Sequence, residues 1–196
     1  MRKQLFQPLT LLDIEWDMRP MVQLQKLKYV GLCYPYSSVP FDASKLSITL
    51  FLAEFLYYAL RREQQNVLLF DYIADSLKWL DGCGDSFANF HLVFMIRLSR
   101  FIGFFPNTEG YCKGDFFDMR AATFSSVAPI HSEFLRPEDA GRINTLMRMN
   151  YDTMHLFRMS RNERNRIVDV LVAYYRIHVP DFPELRSLQV MKELWN

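Results

Sequence analysis

Between Leu9 and Trp16 apolar and polar positions alternate. Leu12, Ile14 and Trp16 fall on one side of an extended chain, and Asp13, Glu15 and Asp17 on the other, the period-two pattern of a half-buried strand. Gln4-Leu5-Phe6 and Val22 to Val30 are further short apolar runs, the second a weaker case in which Lys26 and Lys28 flank Leu27. Arg19-Pro20 reads as the turn between them. Residues 1–34 are therefore expected to form two or three antiparallel strands, and a hairpin of that size is marginal on its own in water.

Beyond a linker from Pro35 to Pro40 the period changes. Asp42 is a candidate N-cap, and from Leu46 to Leu60 apolar residues occupy nearly every side of a helix, which predicts a central, buried element. Asn66 opens a second helix, Val67 to Leu80, stopped at Gly82 and Gly84. Asp85 or Ser86 is expected to cap a third, with Phe87, Phe90, Phe94, Leu98, Phe101 and Ile102 along its stripe and Gly103 and Pro106 at its end. Residues 105–135 have no helical period; Phe116-Phe117 and Thr123-Phe124 suggest a small hairpin inside a long loop. Pro137, followed by Glu138 and Asp139, opens a fourth helix whose face is expected to run through Ile143, Leu146, Met147, Met154 and Phe157. Ser160 and Glu163 form a capping box before Ile167, Val170, Leu171, Tyr174 and Tyr175, and Leu185 to Trp195 is a short terminal helix. The expected fold class is mostly α: residues 1–34 as a partial antiparallel β segment, then residues 35–196 as a helical bundle around the 46–60 helix.

Composition narrows the class. Half of the 196 residues are apolar and 15% are aromatic, which excludes a disordered chain. The longest stretch without Asp, Glu, Lys or Arg is 13 residues, Tyr29 to Phe41, and it holds two prolines, so no membrane span is expected. Three cysteines, at 33, 83 and 112, have no CxxC spacing; with no signal-peptide pattern after Met1, a reducing cytoplasm is expected.

No nucleotide-binding, hydrolase or zinc-protease motif is present. His91, His131, His155 and His178 are dispersed; His91, on an apolar helix face, reads as a core histidine. Asp115 and Asp118 are too few to specify a cation site, and Cys112 with His131 supply only two of the four ligands of a structural zinc. No catalytic residue, metal or cofactor is expected.

Net charge is +1, so a polyanion would have to meet a local patch. From Arg142 to Arg166 six arginines face Asp152 and Glu163, and all ten basic residues between 114 and 191 are Arg. Arginine suits phosphate and bases, and equally an acidic peptide; it also serves as a solvated face whose stems cover apolar surface. Arg161 and Arg176 should point to solvent, and Arg164 toward the core edge. In the β segment Arg2, Lys3, Lys26 and Lys28 lie near Trp16 and Tyr29, the mixture with which oligonucleotide-binding (OB) barrels hold single strands. The candidate DNA contacts are Arg2, Lys3, Lys26, Lys28, Arg142, Arg148, Arg158 and Arg161. On these residues alone, DNA binding and a helical scaffold that binds only proteins stand about even.

Several segments, in order and spacing, resemble one family: Leu5-Phe-Gln-Pro-Leu9, Leu24-Gln-Lys-Leu-Lys-Tyr29, Leu50-Phe-Leu-Ala-Glu-Phe-Leu56, Asn89-Phe-His-Leu-Val-Phe94, Arg97-Leu-Ser-Arg-Phe-Ile-Gly103, Met147-Arg-Met-Asn-Tyr151, Met154-His-Leu-Phe157, Tyr174-Tyr-Arg-Ile-His178 and Leu185-Arg-Ser-Leu188. From Leu5 onward the chain is similar to the RecO family of bacterial DNA repair proteins, in its Bacteroides-like form. The resemblance implies an N-terminal OB barrel, here without its first strands, which would precede Leu5. It implies a helical domain with a zinc-binding insertion, here mapping to 105–135 and expected to be zinc-free because Cys112 is its only cysteine. It further implies binding of single- and double-stranded DNA, annealing, and contact with the acidic tail of single-strand binding protein. With RecR, such a protein would help load RecA. Arg97 and Arg100, on the third helix, are the expected rim of the tail pocket.

Overall fold

A computed structural model describes residues 5–194, with the side chain of Leu194 left out; Arg2 and Lys3 lie outside the described residues. The element order is β1 (Leu12–Asp17), β2 (Lys26–Leu32), α1 (Ala43–Leu60), α2 (Val67–Gly82), α3 (Phe90–Phe101), β3 (Phe116–Asp118), β4 (Thr123–Ser125), β5 (Phe134–Leu135), α4 (Pro137–Met147), α5 (Arg161–His178) and α6 (Arg186–Leu194).

β1 and β2 form a two-stranded antiparallel ribbon; no barrel surrounds it among the described residues. Both strands are shorter than the apolar runs suggest. Leu9 sits at φ 57, which breaks the first run, and the Gln25 side chain closes the turn by accepting the Arg19 N–H at 2.9 Å and donating to the Val22 carbonyl at 2.7 Å. The register pairs Leu12 with Leu32, Ile14 with Val30 and, past a bulge, Trp16 with Leu27. Directly paired side chains share a face, so these six apolar residues line one side. Asp13, Glu15 and Asp17, paired with Gly31, Tyr29 and Lys26, line the other. The bulge takes up Lys28 as an extra residue and so keeps Leu27 on the apolar side. At Gly31 a Cβ would meet the Tyr29 hydroxyl at 2.3 Å, so a larger residue there would displace the half-exposed Tyr29 ring.

The ribbon joins the helices through a clasp on Asp81, at the end of α2. Its carboxylate accepts the backbone N–H groups of Ser37, Ser38 and Val39 at 2.8–3.0 Å and the Tyr34 hydroxyl at 3.3 Å. Burial alone would raise this carboxyl; the three amides outweigh it and hold Asp81 well below the usual carboxylate range. The buried Lys45 ammonium completes the clasp, donating to Ser38 Oγ at 2.7 Å and to the carbonyls of Asp81 and Cys83.

The centre of the bundle is α3, not α1. Phe90, Leu92, Val93, Phe94, Met95 and Leu98 are completely buried, and α2, α4 and α5 all pack on α3. α1 has the length and composition of a membrane span, with half of that window buried. It lies at the edge of the bundle: α6 covers one side, while Leu46 and Leu50 remain 41% and 43% exposed. Neither Asp85 nor Ser86 caps α3. Ser86 adopts φ 66, whereas an N-cap needs an extended backbone, and the helix begins only after Asn89. α4 ends at Met147, so Met154 and Phe157 belong to a turn with a short 3-10 segment and not to its face.

The caps at Asp42, Asn66 and Ser160–Glu163 form as the sequence predicts. In the 105–135 excursion the expected hairpin β3–β4 is joined by β5, giving the order β4-β3-β5.

Candidate functional site

Asn89 spends its amide on the tertiary structure: Nδ2 donates to the carbonyls of Met154 and Phe157 at 3.2 and 2.9 Å. This pins the 149–157 connection beside α3. Across the gap, Tyr72 of α2 donates to the Phe94 carbonyl at 2.9 Å and meets the Tyr151 hydroxyl at 3.1 Å, and Tyr151 donates to Ser76 Oγ at 2.8 Å. Burial pushes the Tyr72 phenol far above its ordinary range and that of Tyr151 to about 12, so both stay neutral donors.

This scaffold holds a cavity of about 170 Å³ walled by Tyr72, Ile96, Phe101, Phe105 and Met147, with Arg97 and Arg100 at its rim. The two arginines differ in state. Arg97 donates from Nη2 to the Met149 carbonyl at 2.7 Å, and its Nε is buried with no acceptor among the described residues. Arg100 is exposed and lies over the Phe105 ring, 4.5 Å from its centre, a cation–π contact that leaves its N–H edge open. Arg148 is also exposed. In the chain it stands between Met147, a wall of the cavity, and Met149, the anchor of Arg97. An apolar slot rimmed by two guanidinium groups, one of them exposed, has the chemistry to accept a carboxylate attached to a large apolar side chain. The i, i+3 spacing of Arg97 and Arg100 is visible in the sequence. Tyr72, Phe105 and Met147 are not, because they converge from three separate segments.

The residues proposed for DNA are dispersed. Lys28 is ion-paired with Asp17 at 2.5 Å, and Lys26 sits opposite Asp17 on a ribbon face that also carries Asp13 and Glu15. Tyr29 shares that face, but Trp16 lies on the other, so only one of the two aromatic groups stands on the surface that carries Lys26. Arg142 is enclosed by Asp139 at 2.8 Å, Glu138 at 3.1 Å and Glu163 at 4.0 Å. Arg161, expected in solvent, is half-buried and donates to the Lys192 carbonyl at 2.5 Å, where it caps the end of α6. Arg164 lies at the core edge as expected, donating to the Met159 carbonyl, and Arg176 is exposed. Lys26, Arg148 and Arg158 are exposed and carry no ion pair among the described residues.

In the 105–135 excursion Asp115 accepts the Cys112 N–H at 2.8 Å, and Asp118 accepts the N–H groups of Arg120 and Ala121 and faces His131 Nε2 at 3.2 Å. No three side chains converge as metal ligands among the described residues. His91 is a core histidine: it meets Phe51 edge-to-face, and burial, aided by the Arg164 charge, pushes it down to about 3.

A profile of the family described as "Recombination protein O C terminal" matches residues 40–189, from the clasp to α6. The chain belongs to the RecO family. It is 57% identical over 192 residues to a protein of Phocaeicola vulgatus named DNA repair protein RecO, a match covering 98% of this chain and 80% of that one. Proteins of the same name from Bacteroides fragilis and Porphyromonas gingivalis are 54% identical over 193 residues and 34% identical over 194, covering 80% and 79% of their lengths. No solved structure matches the chain. The RecO profile covers α1 to α5, the first turn of α6 and the β3–β5 excursion but not the ribbon, so the cavity on α3 lies within the family's shared part.

Proposed function

We propose that this chain is a non-enzymatic mediator of DNA repair and recombination in the cytoplasm. It binds single- and double-stranded DNA, promotes annealing, and cooperates with RecR and with the acidic C-terminal tail of single-strand binding protein in loading RecA. Family membership supports the repair role. The observation that carries the partner-tail part is the pair of guanidinium groups, Arg97 and the exposed Arg100, at the rim of an apolar slot. A terminal aromatic side chain fills the slot, its carboxylate accepts from Arg97 and Arg100, and upstream acidic residues approach Arg148. DNA contact is electrostatic and runs through Lys26, Arg148 and Arg158, so it weakens with salt and has little sequence preference.

The tied state of Lys28, Arg142 and Arg161 favours a second reading, a helical scaffold that binds partner proteins without touching DNA. Fluorescence anisotropy separates the two. A labelled oligo-dT titrated at low and moderate salt should bind with salt-sensitive affinity; absence of binding at low salt, with tail-peptide binding intact, establishes the scaffold. For the tail peptide, Arg100→Ala should cost about tenfold in affinity. Arg97→Glu with Arg100→Glu should abolish binding, and unchanged affinity in that double variant would remove the cavity from consideration.

A further inference from the structure

Resting on the DNA-binding reading above, we infer that the cleft between α4 and the start of α5 takes one amino-bearing nucleobase of a single strand.

The cleft is a cavity of about 200 Å³. That is below the roughly 300–1,000 Å³ of sites for drug-sized molecules and matches a single ring system. Its floor is apolar, made by Phe157 and Met159 of the connection and Ile167 of α5. That floor is fixed in advance: Asn89 donates to the Phe157 carbonyl at 2.9 Å and Arg164 to that of Met159 at 2.6 Å. Phe157 is half-buried and carries no second aromatic ring among the described residues. Its ring is therefore open to stacking by a base.

The polar groups of the cleft sort what enters. Glu163 spends Oε2 on the Ser160 N–H and hydroxyl, both at 2.8 Å. The same bonds hold its carboxyl below the usual range, so it is ionised at neutral pH. Among the described residues Oε1 has only Arg142 Nη2, at 4.0 Å, too far for a hydrogen bond. Thr145 donates its hydroxyl to the Gly141 carbonyl at 2.9 Å, which leaves its oxygen as a further acceptor. A phosphate or carboxylate inside the cleft would meet Glu163 and be repelled. A neutral ring with an exocyclic amine is accepted, as cytosine N4 is by glutamate in base readout. Thymine presents a carbonyl oxygen, O4, where cytosine has that amine. At the rim stands Arg158, exposed and without an ion pair among the described residues, and it serves an anion outside the cleft. A neutral, amine-bearing ring joined to an anion is a nucleotide of a strand. An acidic peptide supplies the anion without the ring.

Anisotropy titrations of the full chain with oligo-dC and oligo-dT of equal length, near neutral pH, test this. Oligo-dC should bind about fivefold tighter, the worth of one hydrogen bond net of water. Oligo-dU, which lacks the thymine methyl group, should behave as oligo-dT does, because the amine decides and not the size of the ring. Glu163→Gln keeps the capping box, which accepts glutamine at this position, and places an amide N–H₂ where Oε1 stood. The preference for oligo-dC should then vanish or reverse, with a circular dichroism melt as the check on folding. Arg158→Ala should weaken both oligonucleotides alike. Equal affinity of the wild type for oligo-dC and oligo-dT overturns the inference and leaves the DNA reading standing, as does a preference that survives Glu163→Gln. Failure to bind either oligonucleotide removes the DNA reading itself, and this site with it.

Discussion

Asp81 shows how much one buried carboxylate can organise. Three consecutive linker amides end on it, and the Lys45 ammonium is held by the neighbouring carbonyls. Asp81→Ala strands those donors in a buried site and should cost about 3 kcal/mol or more, read from the urea midpoint. Asp81→Asn keeps one acceptor and should cost less. Amide exchange at Ser37–Val39 should speed up in both variants. His91 governs a different variable. Its folded-state value near 3 lies below that of an unfolded histidine, so the unfolded chain binds the extra proton. The stability it supports is complete above about pH 6.5 and falls as the pH drops toward 4, by roughly 2–3 kcal/mol. Asp81, also depressed, adds its loss only below about pH 4. His91→Leu should flatten the stability profile between pH 6.5 and 4; an unchanged slope in thermal melts would mean another group titrates there.

At the scale of elements, α6 depends on a carboxylate from another helix. Glu54 of α1 accepts the N–H groups of Arg186 and Ser187 at 3.1 and 2.8 Å, as well as the Ser187 hydroxyl. It thus serves as an N-terminal cap for α6, supplied from across the interface. Glu54→Ala should raise amide exchange through the first turn of α6 and lower stability by about 1–2 kcal/mol, leaving α3 protected. No sequence rule points to that pairing, which spans more than a hundred residues. What is legible in the chain is local: Asp42, Asn66 and the Ser160–Glu163 box cap their helices because each bonds amides within three residues. The ribbon alternation and the β3–β4 hairpin are legible for the same reason. The central place of α3 is not, because an all-round apolar pattern reports burial without naming the helix that receives it. α1 carries that pattern too, and its surplus leucines face outward. The two-residue strand β5 exists only through its pairing with β3. In the candidate cavity the arginine rim could be read from spacing on one helix, whereas its walls depend on how α2, α3 and α4 meet.

For the molecule as a whole the decisive quantity is how many cations are left to meet a polyanion. Of the candidate DNA contacts among the described residues, Arg142 and Arg161 are held by Asp139, Glu163 and a helix-end carbonyl and Lys28 by Asp17, which leaves Lys26, Arg148 and Arg158 exposed without an ion pair. The DNA reading therefore predicts a shallow salt dependence. Lys26, Arg148 and Arg158 together account for a slope of about −2 in log K against log salt on a single strand, at roughly 0.7 per phosphate neutralised. Arg148→Ala and Arg158→Ala should each remove about 0.7 from the measured slope. Arg142→Ala and Lys28→Ala should leave it almost unchanged, because those cations already serve carboxylates. Arg142→Ala should instead lower stability by freeing Asp139, whose other partner, Arg166, lies at 2.6 Å. Anisotropy titrations of the four variants at several salt concentrations measure the slopes directly. If Arg142→Ala or Lys28→Ala flattened the slope as much as Arg148→Ala, DNA binding would have to break these ion pairs, and the basic surface would be assembled by the ligand, not presented to it.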